Sequence, residues 1–251
     1  MTPLHAVILA ATGLVAGFLN VVAGGGSLLT VPALIFTGLP ATVANGTNRI
    51  ALVAQNAVAV LNFRRKGFHD LGLGLRLSVP AILGAVVGAQ IAVSISDQLF
   101  RYILSGVMVL VMVVIVVRRG GGARPGPPQQ ERLPNLPLQY GLFFVVGVYG
   151  GFIQAGVGYL ILFSLSAVGG LSLVRTNSIK VIVVGAYMIP SLVVFIVGGK
   201  VEWLPGLALT VGNAAGGWLG SAFSVSKGDR WIKLVLLLVV IGITGRLVGL
   251  Y

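Results

Sequence analysis

The chain has 251 residues, 57% of them hydrophobic and 9% charged, with a mean hydropathy of +1.02. That leaves too little polar surface to cover a soluble globule of this length, so the composition specifies a polytopic membrane protein. A formal charge of +12 would suggest nucleic acid in a soluble domain, but in a membrane protein Lys and Arg fix topology; the absence of cysteine excludes disulfides, thiolate nucleophiles and Cys-based metal sites.

A spanning helix needs about 20 apolar residues, and the charges cut the chain into segments of that order. The N-terminus, MTPLHAVILAATGLVAGFLN, has neither a basic leader nor a small-residue cleavage site and is expected to be retained. The first apolar stretch, 4–37, is too long for one straight span and too short for two, and Gly24, Gly25 and Gly26 interrupt it. A broken helix or a hairpin of two short helices is predicted there. Spans follow at 41–63, 74–95 and 98–117. Residues 118–135, RRGGGARPGPPQQERLPN, read as a water-exposed linker. The second half opens with another interrupted stretch, 136–169, and continues with spans at 176–197, 203–224 and 231–250.

The halves match each other. The shift that carries Gly38 onto Gly170 also carries Asn45 onto Asn177, Asp70 onto Glu202, Asp97 onto Asp229 and Arg101 onto Lys233. A slightly larger shift pairs Gly13, Gly17 and Gly24 with Gly147, Gly151 and Gly158. If the loop at 64–76 and the linker are cytoplasmic, Arg64, Arg65, Lys66, Arg76, Arg118, Arg119, Arg124, Arg132, Arg175, Lys180, Lys227, Arg230 and Lys233 lie inside or at the inner boundary. Only Arg49, Arg101, Lys200 and Arg246 then lie outside, as the positive-inside bias demands. Corresponding loops fall on opposite faces, so the repeats are inverted. The expected fold is an all-α polytopic membrane protein with an N-terminal repeat over 1–117, a cytoplasmic linker at 118–135 and a C-terminal repeat over 136–251. Each repeat has about five helical segments, the first pair short or broken at glycines.

In hydrocarbon an unsatisfied backbone group costs several kcal/mol, so an interrupted helix belongs in the protein interior or beside a watery cavity. The break at Gly24, Gly25 and Gly26 therefore marks an internal site, where Ser27 is expected to cap the next helix and its N-terminus to attract anions. The second half offers FIQAGVGYL (152–160), with Gln154 and Tyr159. No Gly-Lys-Ser/Thr follows either break, which excludes a phosphate-binding P-loop. The pairs Gly13/Gly17, Gly84/Gly88, Gly147/Gly151 and Gly216/Gly220 are read instead as close helix packing.

Polar clusters follow each break: ANGTNRIALVAQN (44–56) and RTNSIKVIV (175–183). Arg49 and Lys180 stand a few residues inside apolar runs, either as anchors that snorkel to the interface or as groups that meet a substrate. All five acids, Asp70, Asp97, Glu131, Glu202 and Asp229, fall in loops or at span ends. With no carboxylate at mid-membrane, the expected counter-charge is a small anion. His5 and His69 lie near the surface, and no catalytic triad or metal-spaced cluster is visible, so neither an enzyme nor a metal or other cofactor is expected. The candidate substrate-binding set is Asn20, Gly24, Gly25, Gly26, Ser27, Asn45, Thr47, Asn48, Arg49, Gln154, Tyr159, Thr176, Asn177, Ser178 and Lys180.

AGGGSLLTVPAL (23–34), GTNRIA (46–51), GGKVEW (198–203) and VGNAAGGWLGSAFSVSKG (211–228) resemble the sulfite exporter TauE/SafE family, also called the 4-toluene sulfonate uptake permease family. The resemblance covers both halves. It implies a bacterial inner-membrane transporter of small sulfur oxyanions or organosulfonates in an inverted-repeat fold. The family's Gly-rich motif falls on Gly24, Gly25, Gly26 and Pro32, its Thr-Asn-Lys/Arg element on Thr47, Asn48 and Arg49, and its second-half Lys on Lys180. The function expected is secondary transport of a sulfonate, sulfite or related anion by alternating access; the alternatives are an anion channel and a carrier of a non-sulfur organic anion. The expected partners are that anion and the lipid bilayer, with a homodimer as the candidate assembly and no nucleic acid.

Overall fold

The structure, a computed structural model, describes residues 1–68, 70–117 and 136–247. The expected linker at 118–135 and His69 lie outside the described residues. Those described are helical throughout, with no strand.

Helix α1, Pro3–Val22, starts where Thr2 accepts the His5 N–H at 3.3 Å and Pro3 supplies a preset φ. It is long enough to cross a bilayer. The first interrupted stretch is therefore one full helix followed by a short one, α2 (Ser27–Phe36), and not two short helices. The reason is the position of the break, which falls after residue 22 rather than midway. Pro40 then leads into α3, Ala41–Arg65, whose first turn is fixed from a distance: Asp97 Oδ1 accepts from the Thr42 N–H at 2.9 Å and from its hydroxyl at 3.0 Å. Helices α4 (Leu71–Ser94) and α5 (Asp97–Val117) complete the first half.

The second half has the same order. Helix α6 is Leu136–Phe152, α7 is Val157–Leu162 running into a π-helical stretch at Phe163–Val168, and α8 is Leu173–Val197. Ser172 begins α8 by accepting the Arg175 N–H at 3.3 Å, while Arg175 Nε binds Asp70 Oδ1 at 2.7 Å. The two last expected spans are two helices in direct succession, labelled together α9 (Trp203–Leu247), that meet at a kink at Gly228, where the backbone leaves helical geometry at φ 71° and ψ −172°.

Packing follows the glycines. Helix α1 lies along α9, and α6 along α4. A Cβ on Gly13 would sit 2.6 Å from the Leu209 carbonyl oxygen, and one on Gly17 2.5 Å from that of Asn213. On the other pair, Gly84 and Gly88 meet the backbone at Phe144 and Val148, and Gly147 and Gly151 meet Ala81 and Ala85. Small residues let the backbones approach, the usual device where lipid offers no hydrophobic drive for helix association. The packing reading of these glycine pairs agrees with the structure.

Helices α3 and α8 fill the interior and run antiparallel. Gly46, near the start of α3, packs on Lys200 just beyond the end of α8, whereas Phe63, near its end, clusters with Leu173 and Val174. On α4 the exposed residues Leu75, Val79, Leu83, Val87 and Ile91 recur every four positions, an apolar stripe suited to lipid. Helices α1, α4 and α8 are each long and apolar enough to span a membrane. Helix α3 is as long but more polar, because its inward face carries Asn45, Asn48, Arg49, Gln55, Asn56 and Asn62, all buried.

Candidate functional site

The two helix breaks cross each other at the centre of the molecule. Gly24 has φ +86°, a left-handed conformation that favours glycine, and it presses on Gly158, where an added Cβ would strike its backbone. Gly25 faces Tyr159; a Cβ there would lie 2.5 Å from the phenol oxygen. In the second break Gln154 holds φ +68°, unusual for a residue with a side chain, and Tyr187 donates to its Oε1 at 2.7 Å. The Tyr149 hydroxyl donates to the Ala155 carbonyl, also at 2.5 Å.

A helix that stops in an apolar interior leaves carbonyls without partners. Here each stopped helix is closed by an Asn and a cation from the other half. Lys180 donates to the carbonyls of Asn20 at 3.0 Å and Val21 at 2.7 Å, and Asn177 donates to that of Val22 at 3.1 Å. The third Lys180 bond goes to Asn177 Oδ1 at 2.7 Å. At the end of α6, Arg49 Nη1 donates to the Gly150 carbonyl at 3.3 Å and Nη2 to that of Gly151 at 2.6 Å, while Asn45 donates to Phe152 at 2.8 Å. Arg49 also donates to Ser191 Oγ at 2.8 Å, and its guanidinium lies 4.3 Å from the centre of the Phe195 ring. The negative ends of two helix dipoles thus face two buried cations. Neither cation meets a carboxylate: the ion pairs among the described residues are Arg101–Asp97 and Arg175–Asp70.

The cations are not neighbours. Eleven residues of α8 separate Lys180 from Ser191, the residue that Arg49 binds, which is about 16 Å at roughly 1.5 Å per residue. Lys180 and Asn177 bind the end of α1, Asn20 to Val22, just before Gly24, Gly25, Gly26 and Ser27, and Tyr159 meets the same break at Gly24 and Gly25. Arg49 stands with Asn45 and Gln154 at the second. Thr47 does other work, accepting the Glu202 N–H at 2.9 Å beside the start of α9. Ser27 is not the cap expected of it: Gly26 holds the N-cap position, and Ser27 is the first helical residue, its buried hydroxyl without a hydrogen-bond partner. Asn48, Thr176 and Ser178 are also buried with unpartnered side-chain atoms.

The model of the sulfite exporter TauE/SafE family matches residues 9–247. The chain belongs to that family. Membership makes it a membrane transporter protein. It is 25% identical to a probable membrane transporter protein of a Sinorhizobium species over 94% of this chain and 89% of the relative. It is 26% identical to one from Haemophilus influenzae, over 96% and 93%, and 27% identical to one from Escherichia coli K12, over 95% and 88%. No solved structure matches the chain.

Sequence reasoning did not single out Gln55, Tyr149, Tyr187, Ser191 and Asn213. Gln55 had a signal, since it stands seven positions after Asn48 and so shares its helix face. Tyr187 and Ser191 had none, because their partners arrive from the other half of the chain.

Proposed function

We propose that the protein is a secondary transporter of small sulfur-containing anions, a sulfonate, sulfite or related oxyanion, working by alternating access between two inverted repeats. The observation that carries this reading is the pair of buried cations, each held by helix-end carbonyls and unpaired with any carboxylate among the described residues. The family description names sulfite export, and the like placement of α1 on α9 and α6 on α4, with α3 and α8 antiparallel, supports inverted repeats at 1–117 and 136–251. The linker at 118–135 is cytoplasmic, the membrane is the bacterial inner membrane, and a homodimer is the candidate assembly.

In this mechanism an anion competes with the carbonyls for each cation. When it takes the Lys180 ammonium from Asn20 and Val21, the end of α1 is released; at Arg49 the same exchange releases the end of α6. The remaining members of the candidate set apart from Thr47, at the two breaks and on α3 and α8, supply neutral polar groups around the anion. Because Arg49 and Lys180 lie on opposite sides of the crossing, they form an outer and an inner gate. A ligand shifts such an equilibrium only by its difference in affinity for the two states. Arg49 and Lys180 provide that difference, since they are bound to backbone in one state and free for the anion in the other.

The test is a thermal-shift screen of purified protein against sulfite, sulfate, thiosulfate, taurine and 4-toluenesulfonate, followed by flux in proteoliposomes. A preformed anion site raises the unfolding temperature as ligand rises above its dissociation constant. Saturable flux with counterflow is the expected outcome. Flux without counterflow would identify a channel, and no shift with any of the five anions would sink the reading.

A further inference from the structure

From the level of Arg49 toward that of Lys180 the buried face of α3 carries neutral amides. Asn48 has both amide atoms buried without a partner, and Gln55 Nε2 is likewise unpartnered. Gln55 Oε1 accepts from Asn20 at 3.3 Å, which ties it to the last turn of α1 and hence to the Lys180 gate. Helix α9 runs beside this face: Gly206 packs on Thr47 and Ile50, and Gly217 packs on Gln55. Asn213 lies between those two contact points, fully buried, with neither amide atom bonded. Its backbone touches Gly13 and Gly17 of α1, and the adjoining Ala16 carbonyl abuts Gly26 at the N-terminus of α2. Arg49 Nε, unpartnered, closes the outer end of the seam.

Leaving a buried polar group unbonded costs about 1–3 kcal/mol, and an apolar group of the same shape would avoid that cost. Several such groups along one seam call for a role other than stability. We propose that Gln55 and Asn213 form an intermediate binding station for the transported anion between the Arg49 and Lys180 gates, as ligands to its oxygens, with Asn48 at the Arg49 end of the same seam. This rests on the transport reading above and assigns the middle of the path. Neutral amides suit that position: a third buried cation would hold the anion too tightly to pass on, whereas amide N–H groups solvate it without trapping it. Asn and Gln also present carbonyl oxygens, which accommodate a hydroxyl or amino substituent on a short organosulfonate.

Asn213→Leu and Gln55→Met are the test, with Gln139→Leu as control. Gln139 is buried with an unpartnered Nε2 but sits near the start of α6, a helix that packs along α4, and accepts from Ser164. Affinity is read by thermal shift with the best of the five anions above. The seam variants should bind that anion about tenfold to hundredfold more weakly, the scale of a hydrogen bond to a charged group. Without ligand, Asn213→Leu should unfold at or above the wild-type temperature. Gln139→Leu should keep wild-type affinity. Should Asn213→Leu fail to insert, Gln55→Glu, which adds a negative charge in nearly the same shape, must abolish binding. Wild-type affinity in the seam variants overturns this proposal alone, while a wild type that binds none of the anions removes the transport reading and the seam with it.

Discussion

Arg49 offers the sharpest test of the reciprocal capping, because Lys and Gln remove different parts of its contact set. The guanidinium reaches two carbonyls with separate nitrogens, Gly150 from Nη1 and Gly151 from Nη2, and stacks 4.3 Å from the Phe195 ring centre. Arg49→Lys keeps the charge but loses the planar fork that reaches Gly150 and Gly151 from two separate nitrogens, so the geometry of at least one charge-assisted bond is given up, worth up to about 1.5–3 kcal/mol. Arg49→Gln also loses the attraction to the helix dipole, up to about 2 kcal/mol when partly buried, and the ring contact, about 2 kcal/mol when desolvated. Relief from burying a charge offsets part of this, leaving a net loss of about 3–5 kcal/mol. For a chain of this size, each kcal/mol moves the unfolding temperature by about 2–4 °C. Thermal unfolding in detergent without ligand should therefore rank wild type above Arg49→Lys, and Arg49→Lys above Arg49→Gln. If Arg49→Gln unfolds with wild type, the end of α6 does not depend on this cation and the capping argument fails. If Lys matches wild type, a point charge suffices and the bidentate geometry is irrelevant.

Lys180→Gln should weaken anion binding by about 1–3 kcal/mol, the scale of a hydrogen bond to a charged group, and wild-type affinity in isothermal titration would remove the inner gate. Gly25→Leu should insert and fold, because the nearest obstacle is the movable tip of Tyr159, yet lose transport; normal proteoliposome flux would show that this break does not bind substrate. Gly88→Leu drives a side chain into the Val148 backbone, whereas Gly106→Leu meets nothing within 4 Å, so the first should unfold at least about 5 °C below the second. Equal unfolding temperatures would mean that α4 and α6 are not held at glycine distance. Cysteines placed at Gly67 and Gly126 should resist an impermeant thiol reagent added to intact cells, and labelling of both from outside would reverse the orientation.

The sequence by itself determined the solvent, the helices and the places where they stop. An apolar composition with few charges leaves only the bilayer as surroundings, and three consecutive glycines in an apolar run must interrupt a helix wherever the chain goes. It also marked Asn45 and Asn177 as a repeated pair and Arg49 and Lys180 as one cation in each half, one residue out of strict correspondence, because buried charge is rare enough in such a chain to stand out. Only the tertiary structure decided what these residues touch. Lys180 meets the carbonyls of Asn20 and Val21, and Arg49 those of Gly150 and Gly151, each across more than a hundred residues of chain. Ser27 was legible as a cap by its position after the glycines, but Gly26 takes that place and leaves the hydroxyl unpartnered. Asn213, a single amide in a run of glycines and alanines, had no functional signal of its own until α9 laid its backbone against Gly13 and Gly17 of α1, one turn from the Gly217 contact with Gln55. Local pattern fixes where a backbone group loses its partner; which side chain replaces that partner depends on how helices distant in sequence pack, and no local periodicity encodes it.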